Sequence, residues 1–89
     1  MNTFIFTVYA KKQFLSLAQV DQNRMLAKLA VLKKHPDIFA VLRSLIDFYP
    51  ATHRLRIGSY RLILKLEPAQ TGENTFLVLK VGHRKDVYQ

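Results

Sequence analysis

The chain has 89 residues, 49% of them hydrophobic, and a formal net charge of +8 at pH 7. This length and hydrophobic content predict one globular domain over residues 1–89 and exclude a disordered chain. The absence of cysteine excludes disulfides, thiolate metal sites and thiol nucleophiles, and three scattered histidines argue against a zinc site. Because there is no long apolar run and no secretory leader, we expect a cytoplasmic protein without a metal or cofactor.

The positive charge favours a polyanionic partner, such as nucleic acid, the ribosome or an acidic protein. Residues 1–52 and residues 53–89 each hold seven Lys or Arg and three Asp or Glu. Since neither half is richer in charge, a basic patch has to form through folding.

The first half of the chain predicts a strand and two helices. Residues 3–9 alternate in a two-residue period, which is typical of a strand, and residues 10–18 have helical spacing. Asp21 is a candidate N-cap for a second helix that runs to about Lys34, before Pro36. The apolar stripe of this second helix consists of Met25, Leu26, Leu29 and Leu32.

Residues 37–50 are less regular. Their apolar positions fit a short helix that covers one side of the core, and a partly extended crossing is the alternative. The apolar positions are Ile38, Val41, Leu42, Leu45 and Ile46.

Residues 53–66 predict a β-hairpin with Gly58 and Ser59 as a two-residue turn. In that register Arg56 lies opposite Arg61. The alternation of side chains then places one basic set on a single face. This set consists of Arg54, Arg56, Arg61 and Lys65. Because directly opposed like charges destabilise a strand pair, the pattern indicates an anion-binding surface.

The hairpin's second strand is expected to continue to Glu67, followed by a polar turn at 68–74. Residues 75–81 predict a central strand, and residues 83–89 a tail. The whole order predicts an α+β fold in which an N-terminal strand and two helices pack on one face of an antiparallel sheet of about four strands. Its other face remains for the arginines.

Two segments carry a resemblance to a known family. The sequence from His53 to Ile63 (HRLRIGSYRLI), followed by residues 81–88 (VGHRKDVY), resembles toxins of the RelE/ParE superfamily, closest to the RelE branch. The resemblance implies a RelE-like fold and a ribosome-dependent mRNA endoribonuclease that inhibits translation. In such enzymes the 2′-hydroxyl attacks the neighbouring phosphate, which leaves 2′,3′-cyclic phosphate and 5′-hydroxyl ends.

The resemblance also implies roles for individual residues. The residues that match the pattern are Arg54, Arg56, Arg61, Arg84 and Tyr88, and His83 lies beside Arg84. RelE enzymes often carry lysines where this chain has Arg54 and Arg56. An arginine does not release its proton at physiological pH, so these two are expected to hold phosphate rather than act as a base. Tyr88 is our first choice for the general base and His83 the second. The expected RNA- or ribosome-binding lysines are Lys11, Lys12, Lys65, Lys80 and Lys85.

Two other functions fit the same sequence. A ParE-type toxin would bind and inhibit DNA gyrase, and a non-catalytic basic domain would only bind RNA. The toxin interpretation implies a neutralising antitoxin in a hetero-oligomer, with the ribosome and mRNA as targets. It implies contact with operator DNA only through the antitoxin complex, and no membrane partner.

Overall fold

The computed structural model describes residues 1–68 and 72–86. Within these residues, two helices pack on one face of a five-stranded sheet, which confirms the predicted α+β class. The elements are β1 (Asn2–Phe6), α1 (Val8–Leu15), α2 (Gln19–Lys33), a 3₁₀ turn (Ile38–Ala40), β2 (Arg43–Ser44), β3 (His53–Ile57), β4 (Tyr60–Leu66) and β5 (Asn74–His83).

The strand order in the sheet is β1-β5-β4-β3-β2. The pairs β2–β3, β3–β4 and β4–β5 are antiparallel, and the last two are pairings that the sequence predicts. Strand β1 pairs parallel with β5, so the sheet is mixed. This parallel pairing is possible because α1, α2 and the segments after them carry the chain from the β1 edge of the sheet to the β2 edge.

The first strand is shorter than the alternation over residues 3–9 predicts, because Thr7 starts a helix. The Thr7 hydroxyl accepts a hydrogen bond from the Ala10 N–H at 3.1 Å, which is the geometry of a helix N-cap. The same hydroxyl donates to the Val78 carbonyl at 3.1 Å. Helix α1 therefore begins at Val8 and is fixed to β5 from its first turn.

The prediction of Asp21 as an N-cap is wrong. Helix α2 begins at Gln19, and its N-cap residue Ala18, three positions before Asp21, has no side-chain hydrogen bond. The Asp21 carboxylate accepts instead from the Tyr60 hydroxyl at 3.0 Å. Leu26, which we assigned to the buried stripe, is half exposed, whereas the stripe's other members are buried: Met25, Leu29 and Leu32.

Residues 37–50 do not form the short helix that their apolar spacing suggests. A single 3₁₀ turn at Ile38–Ala40 buries Ile38, and the chain then extends into β2 at the sheet edge. The partly extended alternative is therefore the one that the structure adopts, and it supplies the fifth strand.

The core lies between the helices and the inner face of the sheet. It includes Phe14, Met25, Leu62 and Phe76, all at most 8% exposed. Asn2 is the buried polar residue at its edge, 1% exposed. Its side-chain amide donates to the carbonyls of Leu32 (2.8 Å) and His35 (3.0 Å) and accepts a hydrogen bond from the side chain of Asn74 (3.1 Å). These bonds satisfy the amide and join β1, β5 and the end of α2.

Strand β5 extends beyond the predicted 75–81 at both ends, and it contains a β-bulge. Ile63 pairs with Lys80, while the next residue of β4, Leu64, pairs with Val78. Leu79 is therefore an extra residue in β5. No helix in the described part of the chain is long and apolar enough to cross a membrane.

Candidate functional site: an arginine face on the sheet

The hairpin of β3 and β4 carries its arginines on the sheet face that the helices do not cover. Gly58 takes the positive φ of 59° that the tight turn requires. Arg56 lies opposite Arg61, and Arg54 lies opposite Ile63. The predicted hairpin register is thus confirmed pair by pair.

Strand β2 adds a further arginine that the sequence analysis missed. Arg43 pairs with Arg54 across β2 and β3. A strand of two residues has no period to read, and the only sequence signal is one basic residue between the apolar Leu42 and the polar Ser44. Two opposed pairs of arginines therefore occupy neighbouring positions. We call this set the arginine face, and its members are Arg43, Arg54, Arg56 and Arg61.

The guanidinium group of Arg61 is held over the hairpin turn. Its Nη1 donates to the Tyr60 carbonyl at 3.1 Å and to the Gly58 carbonyl at 3.4 Å. Opposite Arg61 on its other side is Gly82, which has no side chain. Arg56, by contrast, is exposed to solvent. The opposed pair of Arg56 and Arg61 thus combines one guanidinium group that is held in place with one that can move to bind an anion.

His83 does not lie with the arginines. Strand β5 continues to His83, which pairs with Tyr60 on the helix-covered side of the sheet. The two rings meet edge to face, with 5.9 Å between their centroids. His83 Nδ1 accepts from the Lys85 N–H at 3.3 Å. The backbone of the sheet separates this imidazole from Arg61.

Tyr60 is the residue through which His83 and the hairpin contact α2. Its hydrogen bond to Asp21 raises the pKa of the Tyr60 hydroxyl, and burial and the negative charge of Asp21 act in the same direction. On the same side of the sheet, burial lowers the pKa of His53. His53 contacts the rings of Phe39 and Phe76, with 5.5 Å and 6.1 Å between the ring centroids, so it packs with the core.

The tail begins next to the hairpin turn. The Arg84 N–H donates to the Ser59 carbonyl at 2.9 Å, and the Asp86 N–H donates to the His83 carbonyl at 2.8 Å. The Arg84 and Lys85 side chains are exposed at this end of the sheet. Tyr88, our first choice for the general base, lies outside the described residues.

The five expected RNA-binding lysines are distributed over the molecule. Lys80 and Lys65 lie on the same sheet face as the arginines, and Lys65 forms an ion pair with Glu67 at 3.8 Å. Lys11 and Lys12 are exposed on α1, which packs against the other face of the sheet. Lys65 and Lys80 therefore lie on the same side of the sheet as the arginines, whereas the two lysines of α1 lie on the other side.

A cleft of about 370 Å³ adjoins the arginine face. One wall is the segment of residues 47–51, which we call the 47–51 loop, and the floor consists of Ile63, Leu79 and Lys80. The loop's backbone is anchored on both sides, because the Leu45 N–H donates to the Thr52 carbonyl at 2.9 Å and the Thr52 N–H donates to the Leu64 carbonyl at 2.8 Å.

The chemistry available on this face is that of cations around an anion. Among residues 1–68 and 72–86, no three His, Asp or Glu side chains are grouped so that they could hold a metal ion. Guanidinium groups can bind the oxygens of a phosphate through paired hydrogen bonds and stabilise charge that develops on it. The arginine face is therefore suited to bind and polarise a phosphodiester.

Comparisons with known proteins agree with this fold. The chain resembles a protein in the crystal structure of the RelBE2 toxin–antitoxin complex from Mycobacterium tuberculosis, with 25% identity and a TM-score of 0.63 over 92% of this chain and 96% of the other. It also resembles a protein in the intact RelBE toxin–antitoxin complex of E. coli. That likeness, with 20% identity and a TM-score of 0.64 over 91% of this chain and 94% of the other, concerns the fold alone. A search of curated protein sequences finds no match.

The fold, the likeness to the Mycobacterium tuberculosis protein and a match to a toxin-family model together place the chain in the RelE/ParE superfamily of toxins. The model of the family described as the ParE toxin of type II toxin–antitoxin systems matches residues 4–88. The chain therefore belongs to this toxin family.

Proposed function

We propose that this toxin is an mRNA endoribonuclease that acts on the translating ribosome without a metal or cofactor. The observation that carries the proposal is the arginine face, where Arg43 opposes Arg54 and Arg56 opposes Arg61 on a side that the helices leave uncovered. Directly opposed like charges destabilise a strand pair, and an anion bound by the guanidinium groups would offset part of that cost. A toxin that only bound a protein would not need this arrangement.

In the proposed reaction, the 2′-hydroxyl oxygen attacks the adjacent phosphorus and the bond from phosphorus to the 5′-oxygen breaks. Arg56 and Arg61 bind the non-bridging oxygens, which carry additional charge in the transition state. Arg54 and Arg84 contribute further positive charge near Arg56 and Arg61. The 2′-hydroxyl proton passes to a general base, and the leaving 5′-oxygen takes up a proton from water.

Tyr88 is our candidate for the general base, ahead of His83. The contact between His83 and the Tyr60 ring on the helix-covered side supports this order, because the imidazole is then separated from the phosphate by the sheet. A tyrosine surrounded by cations can release its proton more readily than in water, since the charges stabilise the phenolate.

The partners follow from this activity. The cell would need an antitoxin to neutralise the toxin, and the solved relatives are toxin–antitoxin complexes. Exposed apolar side chains on α2, such as Val20 (62% exposed) and Val31 (66% exposed), support a protein partner that binds the helix side of the molecule. Operator DNA would be reached only through the antitoxin complex, and a ribosomal target would place the toxin in the cytoplasm. Lys65, Lys80 and Lys85 would contact RNA, and Lys11 and Lys12 would contact the ribosome outside the cleavage site.

The second candidate is inhibition of DNA gyrase, and the observation that favours it is the match to the ParE family model. To distinguish the two, the toxin is induced in cells, mRNA 5′ ends are mapped on ribosomes and gyrase–DNA complexes are measured. We expect codon-phased cuts that carry 5′-hydroxyl ends. Gyrase–DNA complexes without such cuts would replace the proposal with the ParE type. The absence of both the cuts and the complexes would favour a non-catalytic RNA-binding domain.

A further inference from the structure

We propose that the cleft between the 47–51 loop and the sheet binds the base of a nucleotide whose phosphate lies on the arginine face. This inference rests on the proposed function, because it names a base-binding site beside the reacting phosphate. The cleft would give the toxin contact with one base of its RNA, in addition to contact with the backbone.

The first argument is the position of the cleft relative to the cations. A single row across four strands contains Arg43, Arg54, Ile63 and Lys80. Neighbours in such a row are about 5 Å apart, so the apolar floor at Ile63 has a cation on each side. An apolar floor between cations complements a flat aromatic group attached to a phosphate, which is a nucleotide.

The second argument is that the fold builds this floor with an irregularity. The bulge in β5 inserts Leu79, and both Leu79 and the next residue, Lys80, line the cleft. Consecutive residues of a regular strand face opposite sides, so the bulge is what brings the two to the same cleft. Ile63 is only 6% exposed although it faces away from the helices.

The third argument comes from the loop. Tyr49 is 95% exposed, so packing within this chain does not account for an aromatic residue there. Aromatic side chains on RNA-binding surfaces stack on unpaired bases. Asp47 lines the same cleft in a left-handed conformation, with φ of 64°, which non-glycine residues adopt rarely and which is concentrated at functional sites.

Asp47 also indicates which bases would bind best. A carboxylate accepts hydrogen bonds and donates none. It therefore favours bases with an exocyclic amino group, namely cytosine, adenine and guanine, over uracil.

The test is a titration of the antitoxin-free toxin with the four nucleoside 5′-monophosphates, followed by NMR of the Ile63 and Leu79 methyl groups. Ribose 5-phosphate is the control ligand without a base. We expect the nucleotides to shift both methyl groups, ribose 5-phosphate to leave them unchanged, and uridine monophosphate to bind most weakly. Equal binding of uridine monophosphate would overturn the role of Asp47.

Two variants sharpen the test. Tyr49→Ala should weaken nucleotide binding at least about fivefold and leave binding of ribose 5-phosphate unchanged. Tyr9→Ala, at an exposed tyrosine of α1, is the matched control and should bind nucleotides like the parent. No shift of the methyl groups with any nucleotide would overturn the inference, and so would a Tyr49→Ala change that weakens only binding of an antitoxin.

The outcome for this inference is separable from that of the proposed function. If the parent toxin cleaves mRNA on ribosomes but no nucleotide shifts the two methyl groups, only the base-binding site is wrong. If nucleotides bind in the cleft and no cleavage occurs, the endoribonuclease proposal fails and the nucleotide site stands.

Discussion

The Tyr60 hydroxyl donates a hydrogen bond to the Asp21 carboxylate at 3.0 Å, across 39 positions of the chain. Tyr60 is the first residue of β4, and its cross-strand neighbours are Ile57 and His83. One side chain therefore joins the hairpin turn, the end of β5 and the first turn of α2. The bond also ties α2 to the end of β4 at which Arg61 lies, on the opposite face.

Replacing Tyr60 with phenylalanine tests this connection. Tyr60→Phe removes the hydroxyl and keeps the ring against His83, so we expect the free energy of unfolding to fall by about 1 kcal/mol. Tyr9→Phe, at a tyrosine that is 57% exposed on α1, is the control and should change it little. Urea unfolding followed by circular dichroism measures both, and an equal loss in the two variants would contradict the prediction.

The same bond makes stability depend on alkaline pH. Because the pKa of Tyr60 is raised above 10.0 in the folded protein, the native state keeps this proton when the unfolded chain releases it. The stabilisation is fully present below pH 10.0 and is lost as the pH rises through the folded pKa. Tyr60→Phe should lack this component of the alkaline loss.

His53 should make the stability of the protein depend on pH in the acidic range. Burial lowers its pKa from 6.5, so the unfolded chain binds a proton in a range where the native protein does not. Stability should therefore fall as the pH drops below 6.5 and level off below the folded pKa. His53→Phe keeps an aromatic ring beside Phe39 and removes the titration, so its unfolding free energy should depend less on pH between 5 and 7, measured by urea unfolding.

Arg56 is the arginine with which phosphate binding is best tested, since it is exposed, whereas Arg61 also bonds to the hairpin turn. If the endoribonuclease proposal is right, Arg56→Ala should reduce single-turnover cleavage on programmed ribosomes about a hundredfold. Arg56→Lys should recover part of that loss, because it restores the charge but not the paired hydrogen bonds.

The control for that experiment is Lys28→Ala, which removes one positive charge from the exposed surface of α2. Its cleavage rate should remain within about threefold of the parent, because a distant surface charge contributes little at physiological ionic strength. If Lys28→Ala and Arg56→Ala lose the same activity, net charge and not the arginine face is responsible.

The sequence predicts the hairpin better than any other part of the fold. Alternation on both sides of a two-residue turn leaves one register, so the opposition of Arg56 and Arg61 follows from the sequence alone. Strand β2 could not be found in the same way, because its two residues are extended only through pairing with β3. Arg43 was missed for that reason.

The orientation of His83 was missed for a different reason. The apolar run predicts a strand that ends at Val81 and a tail that includes His83, whereas pairing with β4 extends the strand to His83. Once the strand continues, alternation places His83 on the same side as Val81, towards the helices. The bulge at Leu79 has no signal in a run of apolar residues, so the cleft that it lines could not be predicted either.

The proposed general base leads to the last prediction. Tyr88→Phe keeps an aromatic ring and removes the ionisable hydroxyl, so single-turnover cleavage should fall about 10²- to 10⁴-fold while binding to the ribosome is unchanged. His83→Gln should leave the rate within about threefold, because His83 packs against Tyr60 on the other side of the sheet. The rate of the parent should rise with pH as the tyrosine loses its proton, and Tyr88→Phe should lack that rise. The reverse result, in which His83→Gln removes the pH dependence and Tyr88→Phe is as fast as the parent, would assign the base to His83.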